Sequence, residues 1–81
     1  MIKPDWKTAP AWAKWFAIDE DGTGWWWSTK PIPDGMTGCW VVPDSKEQYD
    51  TQLTGIYPYA ADDWEQSLRQ RPAEGEGHDR A

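Results

Sequence analysis

The sequence is poor in the residues with which small proteins form disulfides or bind structural metal ions. Cys39 is the only cysteine and His78 the only histidine among 81 residues. A single thiol excludes a disulfide within the chain and is typical of a reducing compartment. One cysteine and one histidine cannot supply the four ligands of a structural zinc site. We therefore expect no metal site and no cofactor.

Long apolar runs are also missing. No stretch approaches the ~20 apolar residues of a transmembrane helix, and the opening segment Met1–Asp5 lacks the apolar core of a signal peptide. These absences predict a cytosolic protein that does not bind membranes.

Catalytic motifs are the third absence. No nucleophile motif or phosphate-binding glycine loop occurs. Asp19, Asp21 and Thr23 begin like a calcium loop, but the position that requires glutamate is Lys30, so a hairpin turn explains them better. The acidic segment Asp62–Glu65 is explained by helix capping. We expect a protein that is not an enzyme.

Positive charge is scarce relative to negative charge. The chain has 14 acidic and 8 basic residues and a net charge of −6, which disfavours binding to phosphate backbones. The acids are spread evenly along the chain, so they favour a solubility role over imitation of DNA.

Aromatic residues are abundant in compensation. The chain has eight Trp, three Tyr and one Phe, and each buried ring removes on the order of 150–250 Å² from water. In a domain of this size, we thus expect burial of aromatic rings to supply the stability that disulfides or metal ions supply elsewhere.

Two aromatic runs around an acidic, glycine-containing turn predict a β-hairpin. With Asp19 opposite Gly24, the predicted pairs are Ile18 with Trp25, Ala17 with Trp26, Phe16 with Trp27 and Trp15 with Ser28. Because side chains alternate along a strand, this register gathers the most apolar side chains on one face. That expected core face comprises Phe16, Ile18, Trp25 and Trp27.

The remaining segments complete an α+β prediction. Residues 39–42 are expected to form a third strand, and residues 44–59 mainly a loop. A helix is expected to begin at Asp62 and to stop at Pro72. The predicted fold is a three-stranded antiparallel β-meander with one C-terminal helix. Its single domain spans residues 1–72, and residues 73–81 are expected to form a disordered acidic tail.

The Trp25–Trp27 run has two interpretations, because alternation turns Trp26 away from its two neighbours. In one, the helix covers one face of the sheet and the N-terminal segment with Trp6 and Trp12 covers the other. In the other, an exposed aromatic patch binds a protein partner. The residues of this predicted patch are Trp15, Trp26 and Trp40.

Aromatic sheets also stack single-stranded bases, but such sites surround their rings with cations. Only Lys14 and Lys30 lie near these tryptophans in the sequence, so we expect no direct nucleic-acid binding.

Several segments resemble small uncharacterised tryptophan-rich proteins of tailed bacteriophages and prophages. The resemblance lies in residues 5–13, the turn Asp19–Gly22, the run Trp25–Trp27, Lys30-Pro31, residues 63–68 and Arg71-Pro72. It implies expression in the cytoplasm of a bacterial host and carries no activity over to any residue.

Together these features predict a non-enzymatic phage accessory protein that binds and modulates a host or phage protein through an aromatic surface. The alternative is a small structural or assembly component of the virion, and one form of this alternative is a homo-oligomer that uses an exposed strand edge. A third option, an acidic DNA-mimic inhibitor of a host nucleic-acid enzyme, is disfavoured by the even spread of charge.

Overall fold

A computed structural model describes residues 4–43 and 48–72, without the side chains of residues 58–61. Six strands form two antiparallel sheets in this part of the chain. The strands are β1 (Trp15–Ile18), β2 (Thr23–Trp27), β3 (Ile32–Asp34), β4 (Cys39–Val41), β5 (Thr51–Ile56) and β6 (Arg69–Gln70). Two 3₁₀ helices, η1 (Trp6–Thr8) and η2 (Pro58–Gln66), accompany them.

The predicted three-stranded meander with a C-terminal helix is therefore wrong. The main sheet has four strands in the order β5-β2-β1-β6, and β3 and β4 form a separate two-stranded sheet. The predicted third strand exists as β4, but it pairs with β3 instead of extending the β1–β2 hairpin.

The predicted β1–β2 hairpin is present, with its register shifted by one residue. Phe16 lies opposite Trp26, and Ile18 lies opposite Gly24. The turn explains the shift. Gly22 has a φ of 91°, a conformation that suits a three-residue hairpin loop and favours glycine. The Asp21 carboxylate accepts the Thr23 N–H at 2.9 Å and holds this short loop in place.

The predicted C-terminal helix is replaced by a 3₁₀ segment and a short strand. Helix η2 ends at Gln66 and contains Asp63 in a non-helical conformation (φ −113°, ψ 31°). Beyond it, Arg69 and Gln70 pair with β1 as strand β6. Local capping signals favour helical turns here, but the open edge of β1 offers ladder hydrogen bonds that a longer helix would leave unmade.

The loop predicted for residues 44–59 is wrong over Thr51–Ile56, which form β5 against β2. Leu53 lies opposite Trp25 and Thr51 opposite Trp27, and a bulge interrupts the ladder between Leu53 and Gly55. Pairing with a well-anchored tryptophan strand stabilises this segment without any periodic apolar pattern of its own. Residues 44–47 of the predicted loop and the predicted tail 73–81 lie outside the described residues.

Each face of the four-stranded sheet carries a buried aromatic cluster. On one face the buried residues are Ala13, Phe16, Ile18 and Trp26, covered by the partly buried side chains of Trp6, Ala9, Trp12 and Tyr57. On the other face they are Ala17, Trp27, Trp40 and Trp64, flanked by Trp15, Trp25, Val42 and Leu68. The interpretation in which both faces of the sheet are covered is thus the observed one, with η2 and β4 in place of the predicted helix: Trp26 and Trp27 are buried and Trp25 is partly buried.

None of the helices in the described ranges has both the length and the apolar character needed to cross a bilayer.

Candidate functional site

The three tryptophans of the predicted patch do not form one exposed surface. Trp26 is only 2% exposed, in the cluster with Phe16, and Trp40 is 4% exposed, in the cluster on the opposite face. Trp15 is partly buried beside the Trp40 cluster, and the Lys30 ammonium lies 5.4 Å from the centre of its ring. The exposure predicted for the patch is not observed: the N-terminal segment covers Trp26 on one face, and Trp40 packs edge-to-face on Trp64 on the opposite face.

The N-terminal segment is held on the Trp26 face by ring contacts and by Arg71. The ring centres of Trp6 and Trp26 are 5.0 Å apart. The guanidinium of Arg71 donates to the carbonyl oxygens of Pro10 and Ala13 at 2.9 and 2.8 Å, and it lies over the Trp6 ring at 5.6 Å. Aromatic packing and a charged donor together make this cover part of the core.

The opposite face is fastened by a buried carboxylate at the start of the hairpin turn. Asp19 is only 9% exposed. Its Oδ1 accepts the Trp40 backbone N–H at 3.1 Å, and its Oδ2 accepts the Trp25 indole N–H at 3.0 Å. The Trp40 indole N–H in turn donates to the Ile18 carbonyl at 2.7 Å. These bonds attach the β3–β4 sheet to the main sheet.

Burial and hydrogen bonding act in opposite directions on this carboxylate. Burial, the larger effect, raises the pKa of Asp19, while the hydrogen bonds from Trp40 and Trp25 lower it. A perturbed buried acid can mark an active site. Both Asp19 oxygens, however, are engaged by the fold's own donors, which assigns this residue to structure.

The described residues offer no other chemical centre. No group of three or more His, Cys, Asp or Glu side chains within residues 4–43 and 48–72 could hold a metal ion. Cys39 is an exposed free thiol whose pKa is raised by desolvation and by the negative charges of Asp19 and Asp21. A raised thiol pKa is the opposite of what an activated cysteine nucleophile requires.

Exposed apolar side chains concentrate instead at β5, at one edge of the main sheet. Leu53 is 53% exposed, Ile56 64% and Tyr49 42%. Leu53 lies opposite Trp25 and Ile56 opposite Thr23, so both side chains project on the face that carries Trp25. Tyr49 stacks on Trp27 on that face, with ring centres 6.0 Å apart. We call Tyr49, Leu53 and Ile56 the β5 edge surface.

The backbone of β5 adds hydrogen-bonding groups to this surface. The Ser28 N–H donates to the Asp50 carbonyl at 3.0 Å, which sets the phase of the antiparallel ladder. Gln52 and the opposite residue Trp26 are therefore a hydrogen-bonded pair of this ladder. The N–H and C=O groups of the residues on either side of Gln52, Thr51 and Leu53, point away from β2. No described strand pairs with that outer side.

This surface was not predictable from the sequence, because the segment lacks a regular apolar period. The available signal was the run Thr51–Ile56, which has no charged residue and no proline within a chain of net charge −6. Such a run suits a strand and lacks the charged residues that usually protect strand edges.

Comparison of the chain with protein-family models, with curated proteins and with solved structures gave no match. The β5 edge surface is therefore the structural basis for a functional proposal.

Proposed function

We propose that this protein is a non-enzymatic accessory protein of a tailed phage or prophage, which binds and modulates a host or phage protein. The observation that supports the proposal is the β5 edge surface, where Leu53 and Ile56 are each more than half exposed beside a strand edge with which no strand of the described residues pairs. A small domain whose tryptophans are largely used in its own core has little reason to leave these side chains in water unless they contact a partner.

In this proposal the partner contacts the β5 edge surface and not the predicted patch of tryptophans. Trp26 and Trp40 are buried, so truncating either would disturb the core before it disturbed a partner. Leu53 and Ile56 can be changed with little loss of stability, because side chains that stay half solvated contribute little burial energy.

Affinity capture from a bacterial lysate tests the proposal with a matched control. We expect the tagged wild-type protein to retain a stoichiometric partner that a Leu53→Lys, Ile56→Lys double variant loses. Met36→Lys places the same change on the β3–β4 turn, where the side chain is 97% exposed, and should keep the partner. Absence of any stoichiometric partner across several hosts, or equal retention by all three proteins, would contradict the proposal.

The second candidate is the structural or assembly component of the virion. The outer side of β5, which is an edge of the sheet in the described part of the chain, favours it, because an exposed edge is a template for pairing between copies. Mass spectrometry of purified particles separates the two candidates, since a virion component is present in the particle and an accessory protein is not.

A further inference from the structure

Within residues 4–43 and 48–72, acidic side chains lie at both ends of the β5 edge surface. Strand β5 itself carries none, Asp50 immediately precedes it, and Asp21 lies near its other end. Asp21 is placed near the Ile56 end of β5 by Thr23. Thr23 lies opposite Ile56, and its N–H donates to the Asp21 carboxylate. The exposed apolar edge is thus framed by an acid at each end.

The described cations nearest the sheet lie toward its other edge. Arg69 belongs to β6 and Arg71 follows it, while Lys14 directly precedes β1. The ammonium of Lys30 lies over the ring of Trp15, which is also in β1. The described cations named here are therefore placed away from β5, whereas Asp50 and Asp21 lie at its two ends, and this local negative charge favours a positively charged partner.

We propose that an extended, basic segment of a partner protein adds to the outer side of β5 as a fifth strand of the main sheet. This inference rests on the proposed function and specifies its binding mode. The N–H and C=O groups of Thr51 and Leu53 form the ladder, and Tyr49, Leu53 and Ile56 receive alternate apolar side chains of the added strand. The bulge at Thr54 ends the regular ladder, so the backbone contact spans Thr51–Leu53.

A second copy of this chain fits the edge less well. Antiparallel pairing of two β5 strands brings Asp50 of each copy toward the Ile56 end of the other, where Asp21 lies. Two acid–acid approaches would result, between chains that each carry a net charge of −6. A partner strand with lysine or arginine at both ends would instead be attracted to Asp50 at one end of β5 and to Asp21 at the other.

Amide hydrogen exchange of the whole protein with two synthetic peptides tests this mode. One peptide alternates valine and threonine between terminal lysines, and the other has the same interior between terminal glutamates. We expect the lysine peptide at saturation to slow exchange of the Thr51 and Leu53 amides by about tenfold or more. Gln52, already paired with β2, should change little. At low salt the lysine peptide should bind about tenfold more tightly than the glutamate peptide, and added salt should reduce the difference.

Variants at Thr51 separate backbone pairing from side-chain contact. Thr51→Pro removes an outward N–H, which an edge strand tolerates, and should weaken peptide binding about fivefold. Thr51→Val keeps the N–H and should bind like the wild type. Thermal melts establish that both variants are folded.

Three outcomes would overturn the strand-addition mode: unprotected Thr51 and Leu53 amides at saturating lysine peptide, equal binding of the two peptides at low salt, or equal binding of the two Thr51 variants. Protection that appears in the protein alone as its concentration rises would assign the edge to a second copy. If lysate capture still depends on Leu53 and Ile56 in any of these cases, the proposed function stands and only the strand-addition mode fails.

Discussion

The carboxylate of Asp19 accepts the backbone N–H of Trp40 at 3.1 Å, so a turn of the main sheet holds a strand of the second sheet. The same carboxylate accepts the indole N–H of Trp25 at 3.0 Å. One short side chain therefore fixes the β3–β4 sheet and a flanking tryptophan relative to the β1–β2 hairpin. Its loss should loosen one whole face of the protein.

Asp19→Ala is expected to destabilise the fold by about 3 kcal/mol, because it removes two charge-assisted hydrogen bonds and leaves a buried N–H of Trp40 without an acceptor. Urea denaturation measures the change. Glu20→Ala is the control, since this neighbouring acid is exposed and its backbone bond to Gly38 does not involve the side chain. It should stay within about 0.5 kcal/mol of wild type. Equal effects of the two substitutions would show that Asp19 has no special role.

The raised pKa of Asp19 predicts a pH dependence of definite sign. Because the folded state holds this proton more tightly than the unfolded chain, the unfolded chain ionises first, near pH ~3.9. Stability from this group therefore falls as pH rises from there to the folded-state pKa, and is constant above it. Wild-type stability minus that of Asp19→Asn should decrease across this window.

This subtraction removes the opposing contribution of Asp21, whose pKa is lowered by hydrogen bonds from Thr23. Asp21 contributes stability at higher pH that is lost as pH falls through its folded-state pKa. Denaturation curves of both proteins, taken at closely spaced pH values, give the difference. A difference that grows with rising pH would mean that hydrogen bonding outweighs burial at Asp19.

Trp26→Ala should cost about 3–5 kcal/mol, as removal of a large core aromatic usually does. The ring is enclosed between Trp6 and Phe16, whose ring centres lie 5.0 and 5.5 Å away. Thermal and urea melts measure the loss. Met36→Ala, at a side chain 97% exposed, should have almost no effect. A loss below about 1 kcal/mol for Trp26→Ala would show that this side chain is not part of the core.

Ser67→Ala is expected to destabilise by about 1–3 kcal/mol, because the Ser67 hydroxyl joins η2 to β1. Its oxygen accepts the Ile18 N–H at 2.8 Å, and its hydrogen is donated to the Trp64 carbonyl at 2.6 Å. Alanine leaves the buried Ile18 N–H unpaired. Hydrogen exchange at the Ile18 amide should accelerate together with the loss of stability, whereas exposed Thr29→Ala should change neither. An unchanged Ile18 exchange rate would contradict the assigned bond.

Gly24→Ala is expected to cost about 1–3 kcal/mol through overpacking. A Cβ at this position would lie 2.5 Å from Cε2 of Tyr57 and 3.1 Å from Cγ2 of Thr54. Gly35→Ala is the matched control, because its Cβ would meet nothing closer than a Glu65 oxygen at 4.0 Å. In a Tyr57→Ala background the Gly24→Ala penalty should shrink, and a double-mutant cycle measures the coupling. Additive effects of the two changes would rule out the clash.

The hairpin was predictable because its information is local. Two aromatic runs and a turn containing Gly22 favour it in any context. Its register was not predictable from apolar segregation, because that criterion assumes a single buried face. Here Phe16 and Trp26 are buried on one side while Ala17 and Trp27 are buried on the other, so a one-residue shift costs no burial and the turn decides the register.

The other segments depend on partners that are distant in sequence. Strand β5 has a polar, glycine-containing sequence and forms because β2 offers an unpaired ladder. The helical turns predicted from local capping residues end at Gln66. Beyond them, Arg69 and Gln70 pair with β1 as a strand. The exposure of Leu53 and Ile56 follows from these pairings, and for that reason the candidate site was not predictable before the fold.

The central position of β1 has a consequence for synthesis on the ribosome. One side of β1 pairs with β2, its neighbour in the chain. The other side pairs with β6, which is synthesised much later. Arg71, which also binds the carbonyl of Ala13, lies 58 positions further along the chain than that residue. Closing so long a loop is entropically costly and slow. A nascent chain that has emerged only as far as Gln66 therefore exposes one unpaired side of β1, and in this interval a chaperone that binds unpaired strands would protect the chain most.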